Sequence, residues 1–364
     1  MTATLAPNHK FAGPQPPPQP IRVVIVDDSK LIRRAVRGRL SLEPDIHVVG
    51  EAENGAQALD LVSRLKPDVI TLDVNMPVMD GLSTIKHLMI KSPTPTVMLS
   101  TLTDEGAKVT FDALRYGATD FLRKPSRLGQ DDHGAQQDEI IARVRNAAKV
   151  RVASIRFVRP ARRDDNRPAA PAARSCEFAA AIGASEGGYG PLLNIVPALD
   201  PVKPVAYMVV MHTGEAYLEA FRKYLSACST VPVLRAADQM PLNGGACYLI
   251  SGNEHATVLR HDGVTMLGVH PNPFPERRGS IDRLMFSVAE TFGHRAAGVV
   301  LSGIGLDGSQ GLGEIKRRGG VALVQNPATC LHREMSLAAI GRCKVDNIAA
   351  DTHIAPILNT ALFN

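Results

Sequence analysis

Aromatic residues make up 4% of the chain, and tryptophan is absent. A surface that binds single-stranded nucleic acid needs ring faces on which bases stack. That class is therefore disfavoured, although the formal charge is +5. The five cysteines, Cys176, Cys228, Cys247, Cys330 and Cys343, contain no CxxC and no paired spacing. They read as packed, reduced thiols of a cytoplasmic protein rather than a disulfide framework. No run of about 18 apolar residues is present, the length that crosses a bilayer. The N-terminus lacks the apolar core of a signal peptide. The expectation is a chain with no membrane insertion.

Basic charge is not spread evenly. Residues 141–176 hold ten of the 41 Lys and Arg against two Asp, and 128–140 hold four acids and no Lys or Arg. The flanking regions 21–127 and 177–364 are close to neutral. At 364 residues and 45% hydrophobic composition, the chain has the length of two domains and enough apolar material for two cores. The charge pattern places a connector between them.

Residues 1–20 end in PQPPPQP, an extended, solvated tail. From Ile21, five apolar strands alternate with amphipathic helices: RVVIV, HVVGE, DVITL, PTVML and ATDFL. This predicts an α/β unit over 21–127 with a five-stranded, doubly wound parallel sheet of flavodoxin-like order. Residues 128–176 read as a helical, then flexible, basic linker; RPARRDDNRPAAPAAR is its Pro/Ala/Arg-rich part. The α/β pattern resumes over 177–364 with FAAAIG, VAYMVV, ACYLIS, AAGVVLS and GVALVQ as strands, which implies a second, mainly parallel sheet. PLLNIVPAL, EAYLEAFRKYLSAC, SIDRLMFSVAETFG and GLGEIKRRG read as helices.

Open α/β sheets build sites at the carboxyl ends of their strands. Asp27 and Asp28 follow the first strand and Asp73 the third; Ser100 ends the fourth, and Lys124-Pro125 follows the fifth. Converging carboxylates repel unless a hard cation such as Mg²⁺ relieves them. One of them could then attack a phosphoryl donor. Each Asp taken singly reads equally well as a helix cap. Together, IVDDS, TLDVNMPVMDG, MLSTLT and FLRKP resemble a response-regulator receiver domain over about 105 residues. The resemblance implies Asp73 as phosphoacceptor, phosphorylated by a histidine kinase. It implies Asp28, Asp73 and the Asn75 backbone carbonyl as Mg²⁺ ligands, with Asp27 acting through water. Ser100 and Lys124 would read the phosphoryl group, Phe121 would take the aromatic switch position, and the peptide before Pro125 would be cis.

GASEGG (183–188) lies between an apolar strand and a helix. A serine on such a turn is exposed where backbone N–H groups can stabilise an oxyanion. His212 ends the strand VAYMVVM, and Asp307 follows AAGVVLS. Nucleophile, base and orienting acid thus fall at strand ends, in the order Ser, His, Asp, which the α/β-hydrolase order does not match. Singly, His212 reads as well as a core histidine and Asp307 as a turn residue. IGASEGGYGPL, YLISGNEHATVL, GSIDRLMFSVAE and VVLSGIGLDGSQGL resemble the methylesterase domain of the chemotaxis protein-glutamate methylesterases over about 178–360. The resemblance implies Ser185 as nucleophile, His212 as general base and Asp307 as the residue that orients and stabilises the imidazolium. It implies the Ile304 N–H as an oxyanion donor, His255 as a pocket candidate, and no cofactor for this domain. The reaction would be hydrolysis of glutamate γ-methyl esters on methylated chemoreceptors, with glutamine deamidation in some members.

The sequence departs from that family around the pocket. Glu186 stands where a hydroxyl residue is common, Thr213-Gly214 replaces Met-Pro, Ile304 replaces Met, and Glu334-Met335-Ser336 replaces a Gly-Met-Pro turn. A carboxylate beside a nucleophile sits badly with a developing oxyanion. A phospho-switched binding module with an idle esterase domain, and an esterase for another substrate, remain alternatives. A DNA-binding regulator is disfavoured because the C-terminal half is near-neutral and strand-rich.

Overall fold

The structure, a computed structural model, describes residues 19–100, 104–124, 133–150, 174–274 and 279–363. The Pro-rich tail up to residue 18, the Pro125 peptide and the linker stretch 151–173 lie outside the described residues.

The first layer system follows the order β1 (Ile21–Val26), α1 (Lys30–Leu40), β2 (Ile46–Ala52), α2 (Gly55–Leu65), β3 (Val69–Asp73), α3 (Gly81–Lys91), β4 (Thr96–Ser100), α4 (Asp104–Arg115), β5 (Asp120–Arg123), α5 (His133–Ala148). The strands form one sheet ordered β2-β1-β3-β4-β5, and every pairing is parallel. Strand alternation divides β1 between two cores. Val24 and Val26 face α2, α3 and α4, whereas Val23 and Ile25 face α1 and α5. Side-chain oxygens of Ser29, Asn54 and Asp80 accept a backbone N–H at the starts of α1, α2 and α3.

Helix α5 falls within the expected linker. It lies inside 128–176, yet Ile140, Ile141, Val144 and Ala147 are buried with Val97, Leu99 and Leu122. The spacing of those four residues makes one apolar stripe. Without that stripe the α1 face of the sheet would be half uncovered, so α5 is a covering helix and not a free connector.

The second region runs β6 (Phe178–Ala184), α6 (Tyr189–Ile195), β7 (Val205–Met211), α7 (Glu215–Cys228), β8 (Val233–Arg235), β9 (Met240–Pro241), β10 (Cys247–Ser251), β11 (Glu254–His261), β12 (Val264–Pro271), α8 (Ser280–Phe292), β13 (Ala296–Val300), α9 (Ser309–Arg317), β14 (Val321–Gln325), α10 (Glu334–Arg342), β15 (Asn347–Ala349), α11 (Asp351–Ala361). Seven strands form a parallel sheet ordered β15-β14-β13-β6-β7-β10-β8. Helices α6, α7 and α11 cover one face and α8, α9 and α10 the other. A small antiparallel sheet, β11-β12-β9, stands beside α8. The expected helix PLLNIVPAL begins earlier, at Tyr189, and ends at Ile195, passing into a 3₁₀ turn around Pro197, which lacks an N–H. No described helix is long and apolar enough to cross a membrane.

The two regions share a seam. Phe111 of α4 and Phe121 of β5 pack against Tyr189 of α6 and against Tyr217, Phe221 and Tyr224 of α7, with ring centroids 4.9–6.0 Å apart. Tyr224 donates to Asp112 Oδ1 at 2.5 Å, and the Arg123 N–H donates to Tyr217 Oη at 3.0 Å. One apolar core therefore runs through both regions. Replacing Phe111 with Ala removes its centre. Phe111→Ala should lower the free energy of unfolding by about 3–5 kcal/mol in denaturant titrations; a loss below about 1 kcal/mol would show that the seam is not a packed core.

Candidate functional sites: an acidic receiver pocket and a Ser–His–Asp cavity

In the N-terminal sheet, β1 and β3 are neighbours, with Val26 paired to Leu72. Asp27 and Asp73, one residue further on, are therefore side by side. Both are buried, and Asp28 is exposed at the rim. Oxygens of all three lie within 4.8 Å of one another. Lys124 Nζ lies 2.9 Å from Asp27 Oδ2 and 2.7 Å from Asp73 Oδ2. Apart from that ammonium, these two buried oxygens have no partner among the described residues. Burial pushes the Asp73 carboxyl up to about 6; Lys124 opposes the rise and Asp27 adds to it. One ammonium facing two buried carboxylates leaves net negative charge, which an oxygen-seeking divalent cation fits.

The sequence-predicted receiver residues gather at this edge. The Asn75 N–H donates to Asp73 Oδ1 at 3.3 Å. Ser100 Oγ is buried 2.6 Å from Thr110 Oγ1. Phe121 lies in the seam, 4% exposed. Sequence reasoning did not single out Arg33. It is buried, donates to the carbonyls of Asp27 and Asp28 at 2.8 and 3.2 Å, and pairs with Glu51 and Glu53. Its signal was faint, one arginine among four in a basic helix.

In the C-terminal sheet, β6 lies between β7 and β13. The Ser185 N–H donates to the Ser302 carbonyl at 3.1 Å, and the His212 N–H donates to the Ala184 carbonyl at 3.0 Å. The ladder thus fixes Ser185 and His212 at adjoining strand ends. Gly187 has φ +74°, the left-handed conformation that favours glycine, and lets the chain turn from Ser185 into α6. A Cβ on Gly303 would lie 2.7 Å from Ser185 Cβ and 2.1 Å from Met335 Sδ, so the loop after β13 approaches Ser185 only because that position is glycine.

His212 Nε2 lies 3.0 Å from Asp307 Oδ2. The Asp307 carboxylate also accepts N–H groups from Ile281 (3.1 Å), Asp282 (3.0 Å) and Gly308 (3.0 Å). Burial raises the Asp307 pKa, but His212 and the N–H groups of Asp282 and Ile281 outweigh it and hold the carboxyl below its ordinary range. Asp307 is thus kept ionised at the start of α8, where the helix dipole favours an anion. Ser185, Glu186, His212, Ile304 and Asp307 line one cavity of about 650 Å³. The Ser185 hydroxyl donates to Glu186 Oε2.

Not every predicted residue joins this group. His255 lies on β11 against Phe274, with ring centroids 5.8 Å apart, and is not among the residues lining the cavity. Ser280 was missed: its Oγ is 3.0 Å from His212 Nε2 and 3.5 Å from Asp307 Oδ2. A hydroxyl at the first position of an amphipathic helix was the available signal. The departures from the family pattern have structural partners. Thr213 Oγ1 is 2.6 Å from Tyr189 Oη, Glu334 accepts the Gly305 N–H at 3.1 Å, and Met335 packs over Gly303.

The fold and these two sites define a class: an acidic receiver joined to an α/β domain whose cavity holds serine, histidine and aspartate. The response-regulator receiver-domain profile matches residues 23–130, and the CheB methylesterase profile matches residues 180–358. The chain is 36% identical over 334 residues to the protein-glutamate methylesterase/protein-glutamine glutaminase of Pyrococcus abyssi, covering 90% of each. It is 34% identical over 347 residues to the Archaeoglobus fulgidus protein of the same name, covering 94% of this chain and 96% of the relative. The crystal structure of the Thermotoga maritima CheB methylesterase catalytic domain covers 50% of this chain and 98% of that one, with TM-score 0.49 and 24% identity. The chain belongs to the protein-glutamate methylesterase/protein-glutamine glutaminase family, in its receiver-bearing form.

The acidic pocket yields a stability test. Lys124→Ala leaves Asp27 and Asp73 facing each other, so thermal melts in EDTA should show a loss of about 1–3 kcal/mol, which millimolar Mg²⁺ restores. A variant as stable as wild type in EDTA would show that Lys124 does not compensate these carboxylates.

Proposed function

We propose that this chain is a phosphorylation-gated esterase that hydrolyses glutamate γ-methyl esters on chemoreceptors, with deamidation of receptor glutamines as the same acyl chemistry on an amide. The observation that carries the reading is the convergence of Ser185, His212 and an ionised Asp307 on one cavity. Ser185 Oγ attacks the ester carbonyl while His212 takes its proton. Asp307 stabilises the imidazolium that results, and Ser280 supports both groups. The tetrahedral oxyanion turns toward the backbone N–H of Ile304. Collapse returns the proton from His212 to the leaving methoxide and releases methanol. Water, deprotonated by His212, then cleaves the glutamyl-serine ester to give the γ-carboxylate and free Ser185.

In the receiver, Asp28, Asp73 and the Asn75 carbonyl would hold Mg²⁺, with Asp27 acting through water. The cation would offset carboxylate and phosphoryl charge when bound. Asp73 takes the phosphoryl group from a histidine kinase, and Lys124 and Ser100 hold the phosphoryl oxygens. Phe121 sits in the seam, so a change at Asp73 bears on the contact between the domains. The accompanying division is a tail at 1–20, a receiver at 21–127, a linker at 128–176 and a catalytic domain at 177–364, with α5 packed on the receiver side. A cytoplasmic protein with kinase and receptor partners, and no nucleic-acid partner, fits this reading.

The test is methanol release from methylated receptor membranes, with and without a small phosphodonor. Ser185→Ala should abolish release, and Asp73→Ala should abolish stimulation by the phosphodonor. Equal release by wild type and Ser185→Ala would leave a phospho-switched binding module in place of the enzyme. Ser280→Ala should lower kcat about tenfold with little change in KM, the loss of roughly one hydrogen bond to the His–Asp pair; an unchanged kcat would remove Ser280 from the machinery.

A further inference from the structure

A cavity of about 610 Å³ lies outside both sites already described, where the end of α5 meets the loop that leads into α10. Lys149 lines it from the α5 side, and His332 and Arg333 line it from the loop. Its volume falls within the roughly 300–1,000 Å³ of small-molecule pockets.

Its charge sets it apart from the other two. The receiver pocket sets Asp27, Asp28 and Asp73 against Lys124. The serine cavity sets Glu186, Asp282 and Asp307 against His212. Both repel a free anion. The third cavity reverses the balance, with Lys149, Arg333 and His332 against Glu334. Glu334 Oε2 already accepts the Gly305 N–H at 3.1 Å. Lys149 and Arg333 are exposed and have no carboxylate partner among the described residues, whereas Arg33, Arg143, Arg145 and Arg235 are each paired.

His332 points most directly to a ligand. It is 9% exposed, and its backbone is tied to Ser302 and Gly303 at 3.0–3.2 Å. Its ring has no hydrogen-bond partner among the described residues, and the residue lines the cavity. A buried polar group without a partner costs free energy that an acceptor in the cavity would recover. Burial lowers the His332 pKa, so the ring is held neutral with one N–H to donate. Helix α10 starts on the same wall. Its N-cap is Arg333, and no side chain caps it, so the positive end of its dipole lies there too. These donors come from the end of α5, the loop and the start of α10. A carboxylate offers two oxygens in one plane, whereas a phosphate offers terminal oxygens in several directions.

We propose that this cavity binds a phosphate dianion, free or carried as a small monoester, through Lys149, His332 and Arg333. Pro327, Ala328 and Leu331 give the apolar wall against which the rest of a monoester would lie. None of these residues takes part in the proposed ester hydrolysis. The ligand would tie α5 to a loop that also braces Ile304, because the His332 carbonyl accepts the Gly303 N–H and Glu334 accepts the Gly305 N–H.

The experiment is isothermal titration of the full chain with sodium phosphate, and separately with glycerol 3-phosphate, in EDTA at about 0.15 M ionic strength. EDTA keeps the receiver pocket free of divalent cation and therefore anionic. One saturable site is expected. Arg333→Gln and His332→Gln should each weaken it roughly tenfold to a hundredfold, the loss of one charge-assisted hydrogen bond. Arg260→Gln, which removes an exposed charge on β11, should leave the affinity unchanged. Arg333→Gln replaces an exposed side chain and keeps the test decisive if His332→Gln does not fold. Tighter binding of glycerol 3-phosphate identifies a monoester as the occupant, and equal or weaker binding identifies free phosphate. Absence of saturable binding by either anion overturns the proposal. So does an equal loss in Arg260→Gln, which would show general charge attraction, or acetate binding as tightly as phosphate.

Discussion

A parallel strand cannot reach its neighbour through a tight turn; the chain must return across the sheet, here through helices, before the next strand begins. Every carboxyl end of a parallel strand therefore opens into a loop on the same edge, next to the start of a helix. Both candidate sites follow from that constraint. In the receiver, the β1–β3 pairing of Val26 with Leu72 sets Asp27 beside Asp73, and β4 and β5 add Ser100 and Lys124. In the second sheet, the pairing of Ala184 with Met211 sets Ser185 beside His212, and β13 on the other side brings the loop that holds Asp307. Side chains separated by more than a hundred residues meet because each is the first residue past a paired strand end or lies in the loop beyond one.

The same edge logic does not join the two sheets; that falls to the aromatic seam. The chain has ten Phe and six Tyr, and six of these sixteen meet around Phe111 and Phe121. Edge-to-face ring contacts add directional preference to apolar burial, so the seam fixes orientation as well as proximity. It also joins the face of the receiver that carries Phe121 to α6, the helix that begins directly after the turn of Ser185. A motion of Phe121 cannot leave Tyr189 where it is without opening a void in this core.

The alternation of five strand–helix units, and the strands that begin and end the second region, were legible because long apolar runs with Gly, Pro and Asp punctuation carry strong local signals. The small antiparallel sheet was not read as such, although His261-Asp262-Gly263-Val264 held the signal. Asp262 and Gly263 both have positive φ, at +48° and +78°, the arrangement a two-residue hairpin requires. The role of α5 was obscured because its arginines suggested a solvated connector, whereas Ile140, Ile141, Val144 and Ala147 set its packing. The candidate Ser, His and Asp could be named from strand ends alone. Ser280 and Arg33 could not, because each acts through a partner that only the tertiary structure supplies. His255 shows the converse: a residue matched to the family pattern that lies against Phe274, outside the lining of the cavity.

Three carboxylates, Asp73 buried and Asp307 and Glu186 half-buried, face the same electrostatic problem and meet it differently. Asp307 is surrounded by N–H groups and His212, so its charge is satisfied within its own domain. Asp73 shares one ammonium with Asp27, so its charge is incompletely balanced, and the pocket is open to an added cation and then to a phosphoryl group. Glu186 lies between these cases. Its own domain offers it the Ser185 hydroxyl, a backbone N–H and the charge of His212, and Arg143 of α5 adds to them. A charge balanced from within its own domain is indifferent to domain motion, whereas one balanced across a seam is not. Of the three, Glu186 is the one that draws part of its balance from a residue of α5.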